Sequence, residues 1–137
     1  MNRQGLTLIE LMLTIVIVTI LAAAATPLYV RALDKAKWSE ANAAAGTIRT
    51  AVLACSAEIG IDEAQALVDK KLSEQSVQET LGFRPFDLDG TFFGPGDYTI
   101  AAVNSKGLAT ITVTGGSKPE SPSGSYQLEA DGDWVKQ

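Results

Sequence analysis

The chain has 137 residues, 46% of them hydrophobic and 20% charged, with a formal net charge of -5 and no histidine. That size suits one domain with appendages, and an acidic balance disfavours general binding to nucleic acid or to an anionic membrane surface, because the protein's field repels phosphate. The single cysteine, Cys55, excludes an intramolecular disulfide; it lies in an apolar-periodic stretch and reads as a small buried hydrophobe.

The average composition hides an asymmetry at the N-terminus. Arg3 and Glu10 are the only charges before Arg31. The segment Leu6–Val30, LTLIELMLTIVIVTILAAAATPLYV, exceeds the ~20 apolar residues needed to span a bilayer. Arg3 is expected to hold the short leading end in the cytoplasm. A conventional signal peptide, cut at Ala22-Ala23-Ala24, would use this run differently. The glutamate inside the apolar region and the single basic side chain before it argue against that reading. A plain uncleaved anchor explains the length but leaves Glu10, a costly ionisable group at membrane depth, without a purpose.

One pattern uses every odd residue. Gln4-Gly5-Leu6-Thr7-Leu8-Ile9-Glu10 resembles the prepilin cleavage motif of the type IV pilin superfamily. In that family a short hydrophilic leader ends in glycine, a prepilin peptidase cuts after it, and the new N-terminus is usually methylated. A glutamate stands fifth in the mature chain, the place Glu10 takes if the chain begins at Leu6. The family most often has phenylalanine after the cut, where this chain has Leu6, an apolar substitute. The resemblance covers Arg3 to Tyr29 closely and the remainder in general plan.

The resemblance implies a leader at residues 1–5, a transmembrane and polymerisation helix at 6–30, and a globular head at 31–137. It implies Gly5 and Leu6 as processing residues, and Leu6, Glu10 and Pro27 as assembly residues. The implied partners are the prepilin peptidase, the assembly machinery of the inner membrane, the membrane before assembly, and further copies of the chain in a homopolymer filament joined through N-terminal helices. The motif's chemistry is intelligible. Gly5 lets a protease approach the backbone closely, and cleavage frees an α-amine on Leu6 that is cationic near neutral pH. Glu10 lies about one helical turn on, where the helix dipole favours a carboxylate. It can pair with its own Leu6 amine; the resemblance implies pairing with a neighbouring subunit's amine, a register device.

Pro27 stands inside a helical pattern and is expected to kink it, since it removes one N–H and crowds the carbonyl of Ala23. In the superfamily a proline there marks a bend, and in some filaments a melted stretch; a static kink without a role in assembly is the alternative. Tyr29 suits the membrane–water boundary. Beyond it Val30, Leu33, Ala41, Ala44, Ile48, Ala51, Val52, Cys55 and Ile59 recur largely at three and four, with Asp34, Lys35, Lys37, Glu40, Asn42 and Arg49 mainly elsewhere. Small residues, Gly46 among them, permit close packing. Thr7 to Glu58 as one helix would measure roughly 75–80 Å. Trp38 falls near the charged face and is expected to be exposed.

In the head, Ile61–Leu72 reads as a short helix with acidic residues at its start and Lys70 and Lys71 at its end. Glu74–Leu81 adds a turn or two, and Gly82 to Gly96 reads as irregular. Tyr98–Val103 and Leu108–Thr114 are strand-like and flank the turn Asn104-Ser105-Lys106-Gly107. Gly115–Gly124 is a loop. Tyr126–Ala130 and Asp133–Lys136 flank Asp131-Gly132, a tight-turn signal. The fold class is therefore α+β: a long N-terminal helix, kinked near Pro27, packed against a small antiparallel sheet of three or four strands. The terminal YQLEADGDW is loosely similar to the closing strands of short bacterial pilins.

No histidine, nucleophile elbow or phosphate loop is present, so the chain reads as non-enzymatic and without a cofactor. Asp87, Asp89 and Asp97 are calcium candidates, but Tyr98 stands where the loop pattern needs a closing glutamate, and turn-forming aspartates are the default. The expected role is structural: a subunit of a type IV pilus, held as a precursor in the bacterial inner membrane and then extracellular. A pseudopilin of a type II secretion system, periplasmic, shares the motif. A membrane-anchored binding domain that never polymerises is a third reading. Nine aromatics, with none concentrated along the helix, do not favour an electron-conducting filament. Adhesion, motility, DNA uptake and secretion all use this architecture, so the fold does not choose among them.

Overall fold

The computed structural model describes residues 5–137. Arg3 and Gln4, and with them most of the expected leader, lie outside the described residues. One long helix, α1 (Leu8–Glu58), is followed by α2 (Ile61–Gln65), α3 (Gln75–Thr80), a 3-10 turn at Pro95–Asp97 and four strands. The strands are β1 (Tyr98–Val103), β2 (Ala109–Thr114), β3 (Ser125–Leu128) and β4 (Trp134–Lys136). They form one antiparallel meander in the order β1-β2-β3-β4. The chain divides into two compact units, one ending at Lys35 and the other running from Ala36 to Gln137.

In the second unit α1 contributes one stripe: Trp38, Ala41, Ala45, Ile48, Val52 and Cys55 are buried. The spacing alternates three and four, so the six share a helix face. The sheet supplies the facing layer. Tyr98, Val113 and Tyr126 are register neighbours, as are Ile100, Ile111, Leu128 and Trp134. A bulge between Ile100 and Ala102 inserts one residue into β1. It shifts the strand's parity, so that Val103 joins Tyr98 and Ile100 in the core.

Trp38 is the main correction to the sequence reading. It is buried, with ring centroids 5.0 Å from Phe93, 4.5 Å from Tyr126 and 6.3 Å from Trp134. Its charged neighbours in sequence had placed it on the wrong face. Those neighbours are themselves used. Glu40 accepts hydrogen bonds from the amides of Phe92 (2.9 Å) and Phe93 (3.2 Å). Lys37 donates to the carbonyl of Glu120 at 2.8 Å, and Arg49 to that of Ala130 at 2.8 Å. These side chains tether three head loops to α1. Ile59, expected on the apolar face, is exposed.

The helix expected over Ile61–Leu72 ends at Gln65. Asp69 takes a left-handed conformation, φ 65°, and the chain then runs along β1. The Asp69 amide donates to Ile100 (2.8 Å), the Leu72 amide to Tyr98 (3.1 Å), and Lys71 bridges Thr99. A helix to Leu72 would leave this edge of β1 bare. In the β1–β2 turn, Asn104 Oδ1 accepts from the amides of Lys106 and Leu108. Gly107 has φ 78° and lies so close to Ser56 of α1 that a side chain would collide with it. By contrast, a Cβ at Gly46 meets nothing within 4 Å, so no close approach among the described residues requires that glycine.

Burial raises the Cys55 thiol above its ordinary 9.0, with Glu58 and Glu63 adding to the effect. Burial likewise raises the Tyr98 phenol above its ordinary 10.0, with Glu40 and Asp97 contributing. Both groups are held protonated in the fold, so above those ordinary values the unfolded chain binds fewer protons than the folded one. The stability this represents is complete below pH 9.0 and falls as pH rises. Urea midpoints for Ala36–Gln137 should be lower at about pH 10.5 than at about pH 8. The Cys55 thiol should resist alkylation until the fragment unfolds. Trp38→Ala should destabilise the fragment by about 3–5 kcal/mol, the cost of deleting a large buried aromatic; an unchanged midpoint would contradict its place in the core.

Candidate functional site

The N-terminal segment is apolar and open. Every described residue from Gly5 to Ala36 is exposed, among them Leu6, Leu8, Ile9, Met12, Ile15 and Leu21. α1 is long and apolar enough over this stretch to cross a membrane. Three of its threonine hydroxyls are satisfied locally. Thr14, Thr19 and Thr26 hydroxyls donate to the carbonyls of Glu10 (2.7 Å), Ile15 (2.7 Å) and Ala22 (2.8 Å). Hydroxyls closed in this way add little cost to an apolar span, where each unpaired polar group is expensive. Pro27 lies within α1, and the helix continues on both sides of it.

The helix start has a reciprocal geometry. The Glu10 amide donates to Thr7 Oγ1 at 3.3 Å, and the Thr7 amide donates back to Glu10 Oε2 at 3.1 Å. The Thr7 hydroxyl also donates to Oε2, at 3.0 Å, and the Thr7 carbonyl accepts from the Leu11 amide at 3.2 Å. Thr7 is therefore the N-cap and Glu10 the third helical residue of a capping box, which satisfies two amides the helix leaves open. An N-cap threonine is worth about 1 kcal/mol. Sequence reasoning singled out Glu10 but missed Thr7, although Thr-x-x-Glu before an apolar run is the pattern of such a box. Among the described residues the second carboxylate oxygen, Oε1, has no partner.

Gly5 and Leu6 precede the helix and are exposed. Among the described residues, a Cβ at Gly5 would meet nothing within 4 Å. No contact among the described residues thus demands glycine at this position.

The three calcium candidates do not converge. Asp87 Oδ2 accepts from the Arg84 amide at 2.8 Å. Asp89 is paired with Lys118 at 2.6 Å, and Lys118 also donates to the Gly90 carbonyl. Asp97 is buried, accepting from the Gly94 amide at 2.8 Å and from the Ser117 hydroxyl. Asp89 and Asp97 tie the loop before β1 to the loop after β2. No group of three acidic, histidine or cysteine side chains that could hold a metal occurs among the described residues.

The chain joins a long helix packed on a four-stranded antiparallel sheet to an exposed apolar stretch with a capped glutamate, and the likeness to type IV pilins rests on the motif at its start. A family model described as the prokaryotic N-terminal methylation motif matches residues 1–26. No curated protein and no solved structure gives a significant match. The motif implies processing by a prepilin peptidase, and with the apolar helix it points to an inner-membrane precursor. Added calcium should shift the Tm of Ala36–Gln137 by no more than about 1 °C, because protein donors already occupy the loop carboxylates. A rise of several degrees would show a metal site that this loop geometry does not supply.

Proposed function

We propose that the chain is a structural subunit of a type IV pilus. The precursor sits in the inner membrane, is cut between Gly5 and Leu6, is methylated on Leu6, and enters an extracellular homopolymer through its N-terminal helix. The observation that carries this reading is the exposed apolar stretch of α1 beginning at the methylation motif, with Glu10 as its only charge before Arg31. Such a surface needs lipid first and other apolar helices afterwards. Glu10 Oε1, without a partner among the described residues, meets the amine of a neighbouring Leu6, which offsets the cost of a buried charge and sets register. Pro27 serves assembly by weakening the helix where the Ala23 carbonyl loses its amide partner. Against the pseudopilin reading stands the engagement of Asp89 and Asp97 by Lys118, Gly94 and Ser117. Calcium binding by the head would favour that alternative.

Intact-mass measurement of filaments sheared from cells should give a chain beginning at Leu6 with one added methyl group. A start near Ala25 would establish an ordinary signal peptide instead. Glu10→Gln keeps size and hydrogen-bonding capacity but removes the charge. It should leave insertion and cleavage largely intact while lowering filament yield at least about 10-fold. Full filament yield from the substituted chain alone would remove pairing between subunits from the account. Failure to recover the chain in any filament, with cleavage intact, would favour a non-polymerising anchored domain.

A further inference from the structure

The capping box has a consequence for processing, and it rests on the reading that a peptidase cuts after Gly5. The apolar run beginning at Leu6 is interrupted by no helix breaker before Pro27. Helix could in principle extend back through Leu6 and Gly5, closing the Gly5–Leu6 peptide into hydrogen-bonded turns. It does not do so: α1 begins at Leu8, and Gly5, Leu6 and Thr7 are non-helical and exposed. What stops it is local. Thr7 Oγ1 takes the Glu10 amide, a bond that an upstream carbonyl would otherwise accept, and Glu10 Oε2 takes the Thr7 amide in return. Each capped amide is withdrawn from a helix starting earlier. All the atoms of the box belong to residues after the cut.

We propose that Thr7 is a positioning residue for leader removal. As N-cap it ends the helix two residues after the scissile bond and keeps Gly5–Leu6 in non-helical backbone that a protease active site can bind. Glu10 acts on cleavage only as the box partner of Thr7, through an acceptor oxygen rather than through its charge. This assigns Glu10 two separable tasks, an oxygen for processing and a charge for assembly.

The test compares initial cleavage rates of full-length precursors in membranes containing a prepilin peptidase, with insertion checked for each variant. Thr7→Val matches threonine in shape but cannot cap, whereas Thr7→Ser and Thr7→Asn cap with different shapes. Thr7→Val should be cut about five-fold more slowly, the factor expected for loss of one N-cap, and Thr7→Ser and Thr7→Asn within about two-fold of the unaltered chain. Glu10→Gln should be cut normally and Glu10→Ala slowly, since glutamine completes a capping box and alanine does not. Amide exchange on micelle-bound precursors gives an independent readout: the Ile9 amide, which would donate to the Gly5 carbonyl only in a helix starting earlier, should become protected in Thr7→Val alone among the Thr7 variants. Normal cutting of Thr7→Val, or slow cutting of Thr7→Asn, overturns the positioning role; the second result would mean that the peptidase reads the threonine's shape. No cut after Gly5 in the unaltered chain would instead sink the processing reading on which this one rests.

Discussion

Trp38, Ala41, Ala45, Ile48, Val52 and Cys55 line one side of α1, and the rest of the head is arranged to keep that side dry. Three of the six are small, so the backbone of the sheet and the rings of Phe93, Tyr98 and Tyr126 can approach the helix. Apolar burial supplies most of the driving force for such a head. The polar contacts around it act mainly on position. Glu40 holds the amides of Phe92 and Phe93, placing the Phe93 ring against Trp38. Lys118 and Asp97 join the loops before β1 and after β2, so the long irregular stretch ahead of the sheet has a defined course.

The same helix meets two surroundings. Up to Ala36 its side chains are exposed and mostly apolar; from Lys37 one face is buried under the chain's own head. The first stretch cannot remain in water as it stands. Its hydroxyls are closed onto carbonyls one turn back, as a lipid or packed-helix environment demands. Glu10 is the exception, and its carboxylate is divided between the box with Thr7 and an oxygen without a partner among the described residues. That division allows one side chain to serve helix initiation and, in the proposed filament, recognition of a second copy.

The elements most legible in the sequence were those with local signals. The two strands flanking Asn104-Ser105-Lys106-Gly107 fall at Tyr98–Val103 and Ala109–Thr114, within a residue of expectation. The closing hairpin is shorter than its strand-like segments, because Gly132, φ 106°, and the bonds between Glu129 and Asp133 take up a wider turn. Ile61–Leu72 misled for the opposite reason. Its helical pattern is real as far as Gln65, but Asp69–Leu72 is claimed by the open edge of β1, a partner that lies nearly thirty residues away in sequence. The cap at Thr7 is legible in Thr-x-x-Glu alone, beside the stronger signal of the charge at Glu10.

The sequence by itself determined the motif around Gly5 and Glu10, the apolar span, the α+β class and the turns. Each depends on residues within a few positions of one another, where spacing, missing side chains and backbone preference act directly. Only the tertiary structure decided that Trp38 is core, that Lys37, Glu40 and Arg49 are tethers, and that Asp89 and Asp97 answer to Lys118 and Ser117 rather than to each other. Those outcomes depend on which distant segment reaches a given helix face first, and a local pattern of polar and apolar residues contains no record of that partner.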